Sequence, residues 1–165
     1  MATATPVYSG PTALTITLAS LATDANLLVG RESTAIDQKD TTDAIDVVLG
    51  GKITTGTTPT AARQIEVWVY GSYDDTDFSG SATGSDAALT TTAESKTLMK
   101  LGAIIPTHAT SDTTYKFTIG SLARLFGGVI PPQWGVFVTH NTGVNLNATA
   151  GNQEIAFMTL KYESA

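Results

Sequence analysis

The chain contains two histidines, His108 and His140, and no cysteine. Zinc sites built on one element place histidines two to five residues apart. These two lie far apart, each in a loop or at a strand end, where a lone histidine is usually an ordinary surface residue. No Gly-x-Ser-x-Gly elbow is present, and no thiol exists to act as nucleophile. A Ser-His-acid arrangement would need one of the two histidines beside a buried acid, and no stretch of the chain points to one. Acidic residues cluster twice, as Asp74, Asp75 and Asp77 with Asp86, and as Asp37, Asp40, Asp43 and Asp46. An EF-hand loop needs acids at alternate positions, a central glycine and a terminal glutamate, and neither cluster has that order. Both read as solvated loops in preference to cation sites. Carboxylate pairs for glycoside hydrolysis come together only in a fold, and the sequence singles out none. Gly127-Gly128 is followed by Pro131-Pro132 rather than by Lys-Ser/Thr, so it is not a phosphate loop. Asn147-Ala148-Thr149 is a glycosylation sequon, which matters only in a secretory pathway. The expectation is a non-enzymatic protein with no cofactor and no metal.

Composition sharpens this. The 165 residues suit one domain, and only 15% of them are charged, against about 25% in an average soluble domain. Hydroxyls must then keep the surface wet, and there are 29 threonines to do so. Threonine is β-branched and polar, which suits the solvent face of a strand. The formal net charge is −6, and the nine Lys and Arg are scattered singly. Without a basic stripe, direct nucleic-acid binding is not expected. No apolar run approaches the ~20 residues of a membrane span. Residues 13–21, ALTITLASL, have no basic residue before them and carry three hydroxyls, so they read as a strand and not as a signal peptide.

The elements that must position these residues are strands. Residues 63–73, RQIEVWVYGSY, are the organising stretch: Ile65, Val67 and Val69 point one way, Glu66, Trp68 and Tyr70 the other. Around it, strands are expected over 14–18, over 27–37 with a kink at Gly30, and over 44–54. A hairpin joins the last two, and Gly50-Gly51 marks a bulge or bend. Further strands are expected over 96–106, 114–119, 135–139 and 154–162. In the strand at 114–119, Tyr115, Phe117 and Ile119 share a face. The last strand is apolar on both faces and so reads as an interior one. Residues 121–126, SLARLF, form a short helix, capped by Ser121 and stopped by Gly127-Gly128. Residues 74–95 have no periodicity; so long a stretch either folds over the sheet or reaches outward. The sum is an all-β fold: a two-sheet β-sandwich, jelly-roll-like, of about eight strands with one short helix near 121–126. An immunoglobulin-like sandwich is the alternative.

Residues 1–11, MATATPVYSGP, read as an N-terminal arm ahead of a single domain over 12–165, with Val7 and Tyr8 as its apolar spot. With Ile65, Val67 and Val69 facing the core, Trp68 and Tyr70 face outward. Outward aromatics mark protein contacts or sugar-stacking surfaces, unless the 74–95 stretch or the 121–126 helix covers them. Val7, Tyr8, Trp68 and Tyr70 are the candidate contact residues. A carbohydrate-binding module would use Trp68, Tyr70 and Trp134 as platforms.

The uncharged Thr/Ala-rich arm, the absence of cysteine, the Gly/Ser/Thr loop SGSATGS at 79–85, and the stretches 63–73 and 120–139 (GSLARLFGGVIPPQWGVFVT) resemble small virion proteins of tailed bacteriophages. Within that class the chain is most similar to capsid decoration, or cement, proteins. The resemblance implies a protein made in the host cytoplasm and carried on the virion head surface, a homotrimer whose partner is the major capsid protein. A tail, neck or fibre component is the alternative within virions.

Overall fold

A computed structural model describes residues 4–38 and 44–164. They form ten strands in two antiparallel sheets: β1 (Ala4–Ala13), β2 (Val29–Glu32), β3 (Ile36–Asp37), β4 (Asp46–Thr54), β5 (Arg63–Ser72), β6 (Ala87–Thr90), β7 (Lys100–Thr107), β8 (Thr114–Ile119), β9 (Gln133–His140) and β10 (Glu154–Ser164). Two one-turn helices, α1 (Ala93–Lys96) and α2 (Leu122–Leu125), join them. One sheet has the order β1-β10-β4-β8; the other runs β6-β2-β9-β5-β7, with β3 also on β9. With the two-residue β3 and the inserted β6 set aside, the remaining eight strands run 1-8-3-6 and 2-7-4-5, which is jelly-roll order.

The core lies between the sheets. Ile65, Val67 and Val69 of β5 are fully buried there, with Val47, Leu49 and Ile53 of β4 and Val136 and Val138 of β9. Period-2 alternation explains this: each of these strands turns every second residue inward. In β8, Phe117 and Ile119 turn inward while Thr114, Lys116 and Thr118 stay exposed. The Ser121 hydroxyl accepts from Arg124 N at 3.1 Å and starts α2 where expected. β10 is an interior strand, paired on both sides.

Several local expectations give way. Residues 14–18 are not a strand. They cross between the sheets, with Leu14 N donating to Ile155 O and Thr34 N donating to Thr15 O, while Leu14 and Leu18 anchor the crossing in the core. The arm expected at 1–11 is, over its described part, a strand: Ala4–Ala13 pairs antiparallel with β10, with a bulge between Ser9 and Thr12. The expected hairpin over residues 27–54 does not form, because β2 and β3 pair with β9 while β4 pairs with β10 and β8. The turn expected between them at 38–43 falls mostly outside the described residues. Gly50 and Gly51 hold regular register with both neighbours. The break lies instead in β7, where Val67 faces Ala103 and Trp68 faces Leu101, so Gly102 is the extra residue of a bulge.

The 74–95 stretch folds over the β2-β9-β5 face. It contains a 3-10 turn (Ser79–Ser81), β6 and the start of α1. Beneath it lies a second, smaller core of Tyr70, Ala82, Leu89, Met99 and Phe137, with Trp68 and Phe78 packed against it. Gly135 makes room for this core: a Cβ there would stand 2.2 Å from the Tyr70 hydroxyl oxygen.

Candidate functional site

Of the four candidate contact residues, two sit on the edge strand β1 and two under cover. Val7 and Tyr8 lie in β1, facing Lys161 and Leu160 of β10. Among the described residues the β4–β10 pairing ends at Asp46 and Leu160, while β1 stays paired with β10 as far as Ser164. Tyr8 is 58% exposed and Val7 half-buried. Ile45 N donates to Leu160 O, so the peptide groups of Leu160 face β4. Antiparallel alternation then turns Thr159, Lys161 and Glu163 toward β1, where they meet Ser9, Val7 and Thr5. The Ser9 and Thr159 hydroxyls add a hydrogen bond across that ladder. Pro6 and Tyr8 therefore direct their peptide groups to the open edge, and Pro6 has no N–H to offer there. An edge proline is a common device against unregulated strand addition.

The outer face of this sheet carries further apolar side chains. Ile155, Phe157 and Thr159 are buried, so Ala156, Met158, Leu160 and Tyr162 point away from the core. Tyr162 is 60% exposed and lies opposite Pro6. Gly50 pairs with both Ala156 and Thr118. These short side chains leave an open hollow of about 430 Å³, walled by Val48, Met158 and Pro11 on one side and by Lys52, Lys116 and Glu154 on the other. Lys52 lies 3.4 Å from Glu154.

Tyr70 does not form a contact surface. It points away from the inter-sheet core as expected, but the 74–95 segment covers it and it is fully buried. Its hydroxyl donates to Ser33 O at 2.6 Å, and its ring meets Phe78 edge-on at 5.6 Å. Burial raises its pKa well above the usual tyrosine range. Trp68 is half-covered. Its Nε1 donates to Glu66 Oε2 at 2.8 Å, and Lys96 Nζ stands 4.7 Å from the ring centroid. Lys96 also donates to Glu66 Oε2 and to Leu27 O, at 2.6 and 2.7 Å. Burial alone would raise the Glu66 carboxyl; hydrogen bonds from Lys96, Trp68 and Gln64, with the Lys96 charge, outweigh it and hold the carboxyl below its ordinary value. Trp134 is fully buried, so neither Tyr70 nor Trp134 can stack on a sugar, and Lys96 occupies one face of Trp68.

The residues first considered for chemistry are dispersed. His140 is buried, with Nε2 3.0 Å from Leu21 O and Nδ1 3.0 Å from the Thr142 hydroxyl; burial lowers its pKa. His108 is exposed beside Tyr115. Asp74 accepts from Thr76 N and Asp77 N within its own loop, whereas Asp86 pairs with Arg31 at 2.6 Å and with Thr17. Asp40 and Asp43 lie outside the described residues. Asn147 of the sequon donates to Asp112 and accepts from Thr149 N. Among the described residues, no three His, Asp or Glu are arranged to hold a metal.

Sequence reasoning missed Met158, Leu160 and Tyr162 as surface residues. The signal was there in the apolar even-numbered positions of β10, which read only as the mark of an interior strand. Comparison with protein-family models, with curated proteins and with solved structures finds no match for this chain.

Proposed function

We propose that the protein is a non-enzymatic structural component of a tailed-phage virion, a decoration protein that binds the lattice of the major capsid protein on the head surface as a homotrimer. The observation that carries this reading is the outer face of the β1-β10-β4 sheet, which no described residue covers. It offers Tyr8, Tyr162, Leu160 and Met158 over a broad area, and the hollow beside Gly50 within it is open rather than enclosed. Such a surface suits recognition by area, as between proteins, better than capture of a small ligand. Weak contacts repeated on a lattice gain avidity. The sequence resemblance to small virion proteins supplies the kind of lattice.

The test is the composition of purified particles. Mass spectrometry of gradient-purified heads should find the protein, and heads from a deletion strain should lose their genome at lower temperature. Presence in infected cells with absence from particles overturns the reading. Recovery with tails alone would move the protein to the tail, neck or fibre.

A further inference from the structure

We propose that the hollow over Gly50 and Ala156 seats one apolar side chain of the shell protein, and that a carboxylate within two residues of it in that protein pairs with Lys116. The inference rests on the virion reading and names the chemistry that the partner must offer on the same face. Three observations carry it.

The first is shape. The hollow measures about 430 Å³, with Gly50 and Ala156 at its floor and Val48, Met158 and Pro11 along one wall. It opens outward, so what fills it comes from another molecule. A glycine inside a strand commonly marks a place where a ligand or another backbone comes close. An apolar floor and wall suit a large aliphatic or aromatic side chain, the kind that anchors protein interfaces.

The second is charge. Glu154, Lys52 and Lys116 stand in one row across β10, β4 and β8. Like charges directly opposite each other on a sheet repel, and Lys52 faces Lys116. Lys52 has Glu154 at 3.4 Å; among the described residues no carboxylate stands against Lys116. The row thus holds two cations against one anion, in a chain whose formal net charge is −6. It attracts an acid and repels a base. Lys52 follows Gly50 by two residues on the same face, so the row borders the hollow at about 7 Å. An apolar residue and an acid two apart in an extended segment span that distance.

The third is place. Met158, which walls the hollow, leads along β10 to Leu160 and Tyr162 on the same outer face. The hollow is continuous with the contact surface and has its charges at the rim, which is the anatomy of protein interfaces.

The test is co-sedimentation of the purified protein with heads from the deletion strain. Ala156→Leu fills the hollow from a position that already carries a Cβ, and should weaken binding about thirtyfold, as loss of a buried anchor does. Lys116→Glu should weaken it about tenfold, and added salt should weaken wild-type binding more than that of this variant. Lys100→Glu, the same charge reversal on the opposite sheet, should bind as the wild type does. A folded Ala156→Leu or Lys116→Glu that binds as tightly as the wild type overturns the seat and leaves the virion reading standing. Equal losses in Lys116→Glu and Lys100→Glu overturn it too, because the effect is then one of overall charge. Tighter binding by Lys116→Glu overturns it by making the partner basic. Lys116 is exposed, so its variant decides the matter even where Ala156→Leu fails to fold. Wild-type protein that does not bind heads overturns the virion reading and the seat together.

Discussion

The two outer faces of the sandwich differ in what covers them. On the β2-β9-β5 face the chain returns on itself: the segment between β5 and β7 lays down β6 and α1, buries Tyr70 and Phe137, and seals the Glu66–Lys96 pair beside Trp68. On the β1-β10-β4 face nothing among the described residues returns, and Tyr8, Met158, Leu160 and Tyr162 are left partly or largely exposed. The aromatic residues stand on outer faces in both cases. What separates an internal anchor from a contact residue is the connection that follows the strand, not the residue type.

Truncation should expose this difference most sharply. Phe137→Ala, on the covered face, should cost about 3–5 kcal/mol in urea unfolding, because it opens a cavity in a closed core. Tyr8→Ala on the exposed side of β1 should stay within about 0.5 kcal/mol, as surface changes do. Equal losses would abolish the distinction between the faces.

Next comes the ion pair. Lys96→Met leaves the buried Glu66 without its counter-charge, with only the Trp68 and Gln64 hydrogen bonds among those described, and should cost about 3 kcal/mol; adding Glu66→Gln should recover most of the loss. A double variant as unstable as the single one would show that Lys96 acts through packing alone. The same pair has a pH signature. The folded Glu66 carboxyl lies below its ordinary value of 4.5, so its contribution is present above that pH and lost as pH falls through the folded value. Glu66→Gln should therefore flatten the acid limb of stability against pH.

His140 gives a smaller effect in a different window. Burial lowers its folded pKa beneath the ordinary 6.5, so the neutral ring stabilises the fold above 6.5 and that contribution is lost as pH falls from there. Thermal unfolding should show a shallow loss just below pH 6.5 that His140→Gln removes. A slope unchanged by the substitution would place its cause elsewhere. The smallest expected change is in Tyr162→Ala, silent in stability but weakening the binding of added protein to heads from the deletion strain, read by co-sedimentation.

What was legible from sequence was whatever short-range physics decides. The alternation Ile65-Val67-Val69 set the buried side of β5, that of Phe117 and Ile119 the buried side of β8, and Ser121 the start of α2; each depends on neighbours within about four residues. Period-2 patterning with frequent turn signals likewise determined the sandwich class. Pairing was not legible. β1 and β10 join the two ends of the chain, and β4 passes over the nearby β2 to pair with β10 and β8, because alternation fixes which side a residue faces but not which strand lies beside it. The fate of Trp68 and Tyr70 was undecided for the same reason. Period 2 sent them outward, and only the return of residues 78–99 made one an internal anchor and half-covered the other. The site as a surface belongs wholly to the tertiary structure: Tyr8 and Tyr162 become neighbours only when the first strand pairs with the last.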